Sequence, residues 1–147
     1  MHEENEAHMN EAIHSDEAPP PVGRYPHARR VGNLLFLSGI GPRQAGTNEI
    51  PGVTLNSDGE VIARDIEAQC RSVFENVRRV LESAGSSWER LVDVTVFLTH
   101  MADDFEIYNR VYAEFFRDNP PCRTTVGISS LPTPIAIELK CIATVEK

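Results

Sequence analysis

Arg123 and Glu138 are the side chains of this 147-residue chain whose types and settings could carry chemistry. Arg123 stands where Pro120-Pro121 leads into an extended segment. Its planar guanidinium fork suits bidentate capture of a carboxylate. Glu138 lies on the polar side of an alternating segment. A carboxyl in a partly apolar sheet has a raised pKa and can serve as a general base. By residue type alone, both are also compatible with solvated strand positions. Tyr25 and Asn109 add neutral hydrogen-bonding groups, with the same ambiguity. Other chemistries lack their motifs. There is no Gly-rich phosphate loop and no H-E-x-x-H, and His27 and His100 stand alone. Ser38-Gly39 lacks the G-x-S-x-G setting of a nucleophile elbow. Cys70, Cys122 and Cys141 are odd in number and widely spaced, with no C-x-x-C, which argues against a disulfide framework or a thiolate zinc site.

These side chains need elements to hold them. Val31-Gly32-Asn33-Leu34 has the form of a hairpin tip before the apolar run Leu34–Leu37. Residues 40–60 are rich in Gly, Pro, Asn and Asp and read as a long loop, with short strands at Val53–Leu55 and Val61–Ile62. Asp65 opens a helix whose apolar stripe runs through Ile66, Cys70, Val73, Val77, Val80, Leu81 and Ala84, with Gly85 just past its end. The β-branched run Leu91–Leu98 predicts a central strand. Asp103 and Glu106 have capping-box spacing, which predicts a second helix burying Phe105, Tyr108, Val111, Tyr112, Phe115 and Phe116. Asn119-Pro120-Pro121 ends it. Two strands close the chain, Arg123–Ile128 and Ile135–Val145. In the latter, Ile135, Ile137, Leu139, Cys141, Ala143 and Val145 share one face, with Glu138 and Lys140 on the other. The order predicts an α+β fold with two helices on one face of a mixed sheet, and the apolar content of the other face predicts cover by another subunit.

Composition bounds the partners. The chain is 41% hydrophobic and 24% charged, as in an ordinary globular domain. No apolar run approaches the roughly 20 residues of a membrane span, and the acidic N-terminus is not a secretory signal, so the chain reads as cytoplasmic, without a membrane partner. The net charge is −8; residues 1–20 hold six acids and no Lys or Arg, leaving 16 acids against 14 bases beyond them. Residues 1–20 therefore read as an acidic, disordered tail, and residues 21–147 as a single domain. Neither part has the basic surface that nucleic-acid binding requires.

The motifs resemble a known family. Gly23-Arg24-Tyr25-Pro26-His27-Ala28, Gly32-Asn33-Leu34 through Ser38-Gly39, Asp65–Gln69, Val94–Thr99, Tyr108–Tyr112, Pro121–Val126, Leu131-Pro132 and Ile137-Glu138-Leu139 are similar, in that order, to blocks of the Rid (YjgF-type) enamine/imine deaminases. The resemblance implies a chorismate-mutase-like (YjgF-type) fold, a homotrimer and active sites between subunits. It implies that Arg123 binds the substrate carboxylate, that Glu138 activates water, and that Tyr25, Asn109, Ser38 and Gly39 line the cleft. No metal or organic cofactor is implied.

The departures also matter. Arg24, Pro26 and Ile40 replace family residues, and the loop from Gly41 to Ala63 is longer than in common members. These features resemble the 2-aminomuconate deaminase branch, which works in aromatic-compound degradation. That substrate carries two carboxylates, and an unpaired buried carboxylate is costly. By residue type Arg24 and Arg43 are both compatible with solvated loop positions; the alternative is that Arg43, or else Arg24, faces the distal carboxylate. The alternatives are deamination of short imines such as 2-iminopropionate, and a non-catalytic carboxylate-binding or chaperone-like protein.

Overall fold

A computed structural model describes residues 10–47 and 49–146. The strands are β1 (Glu11–Ile13), β2 (Ala28–Val31), β3 (Leu34–Leu37), β4 (Val53–Leu55), β5 (Val61–Arg64), β6 (Leu91–Leu98), β7 (Cys122–Gly127) and β8 (Ile137–Thr144). Helix α1 spans Ile66–Ser83 and α2 spans Met101–Phe115. One six-stranded sheet runs β1-β2-β3-β8-β6-β7, and β4-β5 form a separate hairpin. Among the described residues only β6 and β7 are parallel, joined across α2, so the sheet is mixed as expected.

Alternation decides which face is packed. Leu35 and Leu37 on β3, Val94, Val96 and Leu98 on β6, and Ile137, Leu139, Cys141 and Ala143 on β8 are buried beneath the helices. Cys70, Val73, Phe74, Val77, Val80 and Leu81 of α1 and Tyr108, Val111 and Tyr112 of α2 complete the core. Among the described residues no helix covers the opposite face. Val31 and Leu34 lie about two-fifths exposed on it, with Phe36 and Ile142 half-buried. Asp65 caps α1, accepting from the Ala68 N–H at 3.2 Å. Gly32 turns the β2–β3 hairpin at φ 61°, a conformation that costs glycine little.

Three expectations are corrected. Residues 1–9 of the predicted tail lie outside the described residues, but residues 10–20 are not a free tail. β1 pairs with β2, Ser15 and Ala18 are buried, and His27 clasps the segment. The His27 Nδ1 accepts from the Ser15 N–H at 3.0 Å, and Nε2–H donates to the Pro19 carbonyl at 2.8 Å. Backbone pairing and a buried imidazole hold what apolar content could not. Second, α2 begins at Met101 after His100, and no side chain caps it. The expected cap, Asp103, is exposed, with a carboxylate oxygen 3.8 Å from Arg64 of β5, and its buried neighbour Asp104 pairs with the same guanidinium at 2.5 Å, which ties the hairpin to the helix start. Third, Phe105 is 40% exposed, because the buried face of α2 runs through Asp104, Tyr108, Val111 and Tyr112 and leaves position 105 at its margin.

Candidate functional site

The chain forms two partial sites rather than one. The first lies at the β7 edge. Arg123 faces the helix side, and its Nη1–H donates to Asn109 Oδ1 of α2 at 2.8 Å. Its guanidinium carbon lies 4.7 Å from the Tyr112 ring centroid and 5.3 Å from that of Tyr108. Both distances are within cation–π range. Arg123 and Asn109 are both exposed, so the guanidinium is accessible from solvent. Cys122, the neighbour of Arg123, is also exposed; as the next residue on the strand it points to the other face.

The second partial site lies on the open face. Glu138 alternates with buried Ile137 and Leu139 and is half-buried there. Its carboxylate rests against Gly39, where a Cβ would meet Oε2 at 2.8 Å, so only glycine leaves that place free. Burial raises the Glu138 pKa above its ordinary 4.5. Ser38 Oγ–H donates to the Pro26 carbonyl at 2.7 Å and ties the Tyr25-Pro26 segment to the end of β3. Tyr25, Ser38, Gly39 and Arg43 line one small recess, walled by Pro19 and Pro21.

Helix α1 positions Arg43. The buried Asn76 Nδ2 donates to the carbonyls of Gly41 and Arg43 at 2.9 and 2.7 Å, and Ser72 Oγ–H donates to the Pro42 carbonyl at 2.7 Å. The Arg43 guanidinium donates to the Pro20 carbonyl at 2.7 Å. Arg24 is exposed and does not line this recess.

Strand register keeps the two partial sites apart. Glu138 pairs with Phe97, and Phe97 pairs with Val126, three residues beyond Arg123 on β7. That places Glu138 about 10 Å along and about 10 Å across the sheet from Arg123. An odd separation also puts them on opposite faces. The structure therefore groups Arg123 with Asn109, sets Glu138 against Gly39, and gathers Tyr25, Ser38, Gly39 and Arg43 in a recess that Glu138 itself does not line. It does not bring the two groups together within one chain.

Sequence reasoning missed the role of Tyr108 and Tyr112. Both read as ordinary helix core, yet they flank Asn109 on α2 and lie under Arg123. Their i,i+4 spacing around an amide was the available signal. Cys70 and Cys141 are core residues as expected, and burial pushes both thiols up to about 12, away from nucleophilic use. A groove of about 510 Å³ lies between β5 and residues 129–136, and none of the expected site residues lines it.

The endoribonuclease L-PSP family model matches residues 15–145. A RutC family protein of Pyrococcus horikoshii is 39% identical over 135 residues, 92% of this chain and 98% of that protein. The chloroplastic Reactive Intermediate Deaminase A of Arabidopsis thaliana is 31% identical over 134 residues, 91% of this chain and 65% of that protein. Among solved structures, the YjgF gene product of E. coli matches with a TM-score of 0.78 at 29% identity, covering 92% of this chain and 99% of that one. RidA from an Antarctic Psychrobacter matches with the same TM-score at 30% identity and the same coverage.

Proposed function

Because the chain belongs to the endoribonuclease L-PSP (Rid/YjgF) family, we propose that it is an imine/enamine deaminase whose active sites form between copies of the chain. The observation that supports this reading most is the division of the site. One surface offers a carboxylate anchor, Arg123 with Asn109. Another offers a half-buried carboxyl with a raised pKa, Glu138, in the cradle left by Gly39. Neither completes the chemistry alone, and a second copy supplies the missing half. The helix-free sheet face, with Val31 and Leu34 exposed, supplies apolar surface for that contact. The assembly we propose is a homotrimer with a cleft at each subunit boundary, formed by the single domain.

The chemistry balances without further reagents. An enamine carrying a 2-carboxylate tautomerises to the imine. Arg123 holds the carboxylate and orients the C=N carbon. Glu138 accepts a proton from water as its oxygen bonds to that carbon. Glu138 passes that proton to the nitrogen, the carbinolamine hydroxyl gives up its own to the amine as the C–N bond breaks, and ammonia leaves a 2-oxo acid. Tyr25, Ser38 and Gly39 shape the wall beside the reacting carbon.

The finer reading is 2-aminomuconate as substrate, giving 2-hydroxymuconate in its 2-oxo form. Arg43 favours it, since it places a second guanidinium in the recess of Tyr25, Ser38 and Gly39. A dicarboxylate needs that second cation and a short monocarboxylate imine does not. The test is ammonia release from 2-aminomuconate and from freshly generated 2-iminopropionate, with mass by light scattering. Turnover of both, faster on the dicarboxylate, and a mass near three times 16.4 kDa are expected. Faster turnover of the short imine moves the substrate to that class. Binding of both with turnover of neither makes the protein a carboxylate-binding module. A monomer overturns the shared cleft.

A further inference from the structure

We propose that Tyr112, with Tyr108 beside it, is a positioning residue for Arg123: the ring face, not the hydroxyl, holds the guanidinium plane ready for an incoming carboxylate. The inference rests on the reading of Arg123 as the anchor. An arginine on an exposed edge strand samples many rotamers and loses that freedom on binding a planar anion. Here it is already confined. Its guanidinium carbon lies 4.7 Å from the Tyr112 ring centroid and 5.3 Å from that of Tyr108, and Asn109 takes one N–H. Asn109 ties down one of the five donors in the fork and Tyr108 is the other polar group beside it, which leaves donors for bidentate capture.

The support is itself rigid. Tyr108 is fully buried, and its hydroxyl pairs at 2.9 Å with Thr125 Oγ1. Thr125 is two residues from Arg123 on β7 and shares its face. Tyr112 is 7% exposed and packs on Phe74 and Phe116, with ring centroids 6.0 and 4.3 Å away. The hydroxyl of Tyr112 is buried with no hydrogen-bond partner among the described residues. An unpaired buried hydroxyl destabilises. What this side chain supplies here is its ring, whose negative face attracts the cation above it.

Pyruvate binding, followed by calorimetry, tests the proposal. Tyr112→Phe should bind as the wild type does and melt no lower. Tyr112→Leu should bind about 3- to 30-fold more weakly, the range of a cation–π contact expressed as affinity. Pentafluorophenylalanine at position 112 keeps the shape, reverses the ring quadrupole and should weaken binding in the same way. If Tyr112→Leu fails to fold, the fluorinated chain decides alone. Starting from Arg123→Ala, Tyr112→Leu should add no further loss. Wild-type affinity in the folded Leu or fluorinated variant, or additive losses in the pair, overturns the proposal. Should the wild type bind no pyruvate, the anchor reading fails separately. The platform is then read from the Arg123 Nε–H NMR resonance. A ring-current shift present in the wild type and Tyr112→Phe but lost in Tyr112→Leu supports it, and an unmoved resonance overturns it.

Discussion

Gly39 and Glu138 touch so closely that a methyl group at residue 39 would lie 2.8 Å from Glu138 Oε2 and 2.9 Å from its carboxyl carbon. The φ of Gly39 lies outside the left-handed region, so what glycine offers there is room for the Glu138 carboxylate and not backbone freedom. Gly39→Ala should leave the melting temperature nearly unchanged, because a flexible carboxylate can swing aside. Turnover should fall by up to about 10²-fold, the scale of a misplaced catalytic group. Parallel thermal melts and ammonia-release kinetics check both halves of this expectation.

The pH profile should identify Glu138. Burial raises its pKa above 4.5, and a general base acts in its ionised form. The acid limb of kcat/KM should therefore lie above pH 4.5 and disappear in Glu138→Gln, with kcat lower by ~10²-fold or more. The stability sign is opposite. A raised folded pKa favours the protonated fold, so this stabilisation is greatest at low pH and is lost as pH rises through the folded pKa. Glu138→Gln should accordingly be no less stable than the wild type at pH 7, as denaturant titration would show.

At Arg123, charge alone should not suffice. Lysine keeps the charge but loses the planar fork, the stacking on Tyr112 and the paired donors. Arg123→Lys should lose most of kcat/KM with an unchanged circular-dichroism spectrum. Near-normal kinetics would remove the anchor role.

Arg43 and Arg24 should separate by substrate. Arg43→Ala should cost ~1.5–3 kcal/mol, or ~10- to 150-fold in kcat/KM, on the dicarboxylate and little on a short imine. Arg24→Ala should affect neither strongly, since Arg24 does not line the recess. Kinetics of both variants on both substrates measure this; equal losses for Arg43→Ala on the two would end the selectivity claim.

Much of the fold was legible because burial leaves a period in the sequence. The stripe from Ile66 to Leu81 specified α1, and the alternation around Glu138 placed its side chain opposite Leu139 and Cys141 before any coordinates. The β-branched run Leu91–Leu98 became β6 at those same limits. The types of Arg123 and Glu138 likewise announced their chemistry. The tertiary structure decided how they meet their surroundings. Cys122–Gly127 has no clear alternation, since it is an edge strand, so the face of Arg123 emerged only from its pairing with β6 and its contacts with α2. The insertion of β8 between β3 and β6 sets Glu138 against Gly39, which is remote in the chain. Strand order and register are settled by all the pairings at once, beyond the reach of a local window. The same holds for residues 10–20, whose composition predicts a tail. A buried imidazole and the β2 edge order them, and neither partner lies within that segment.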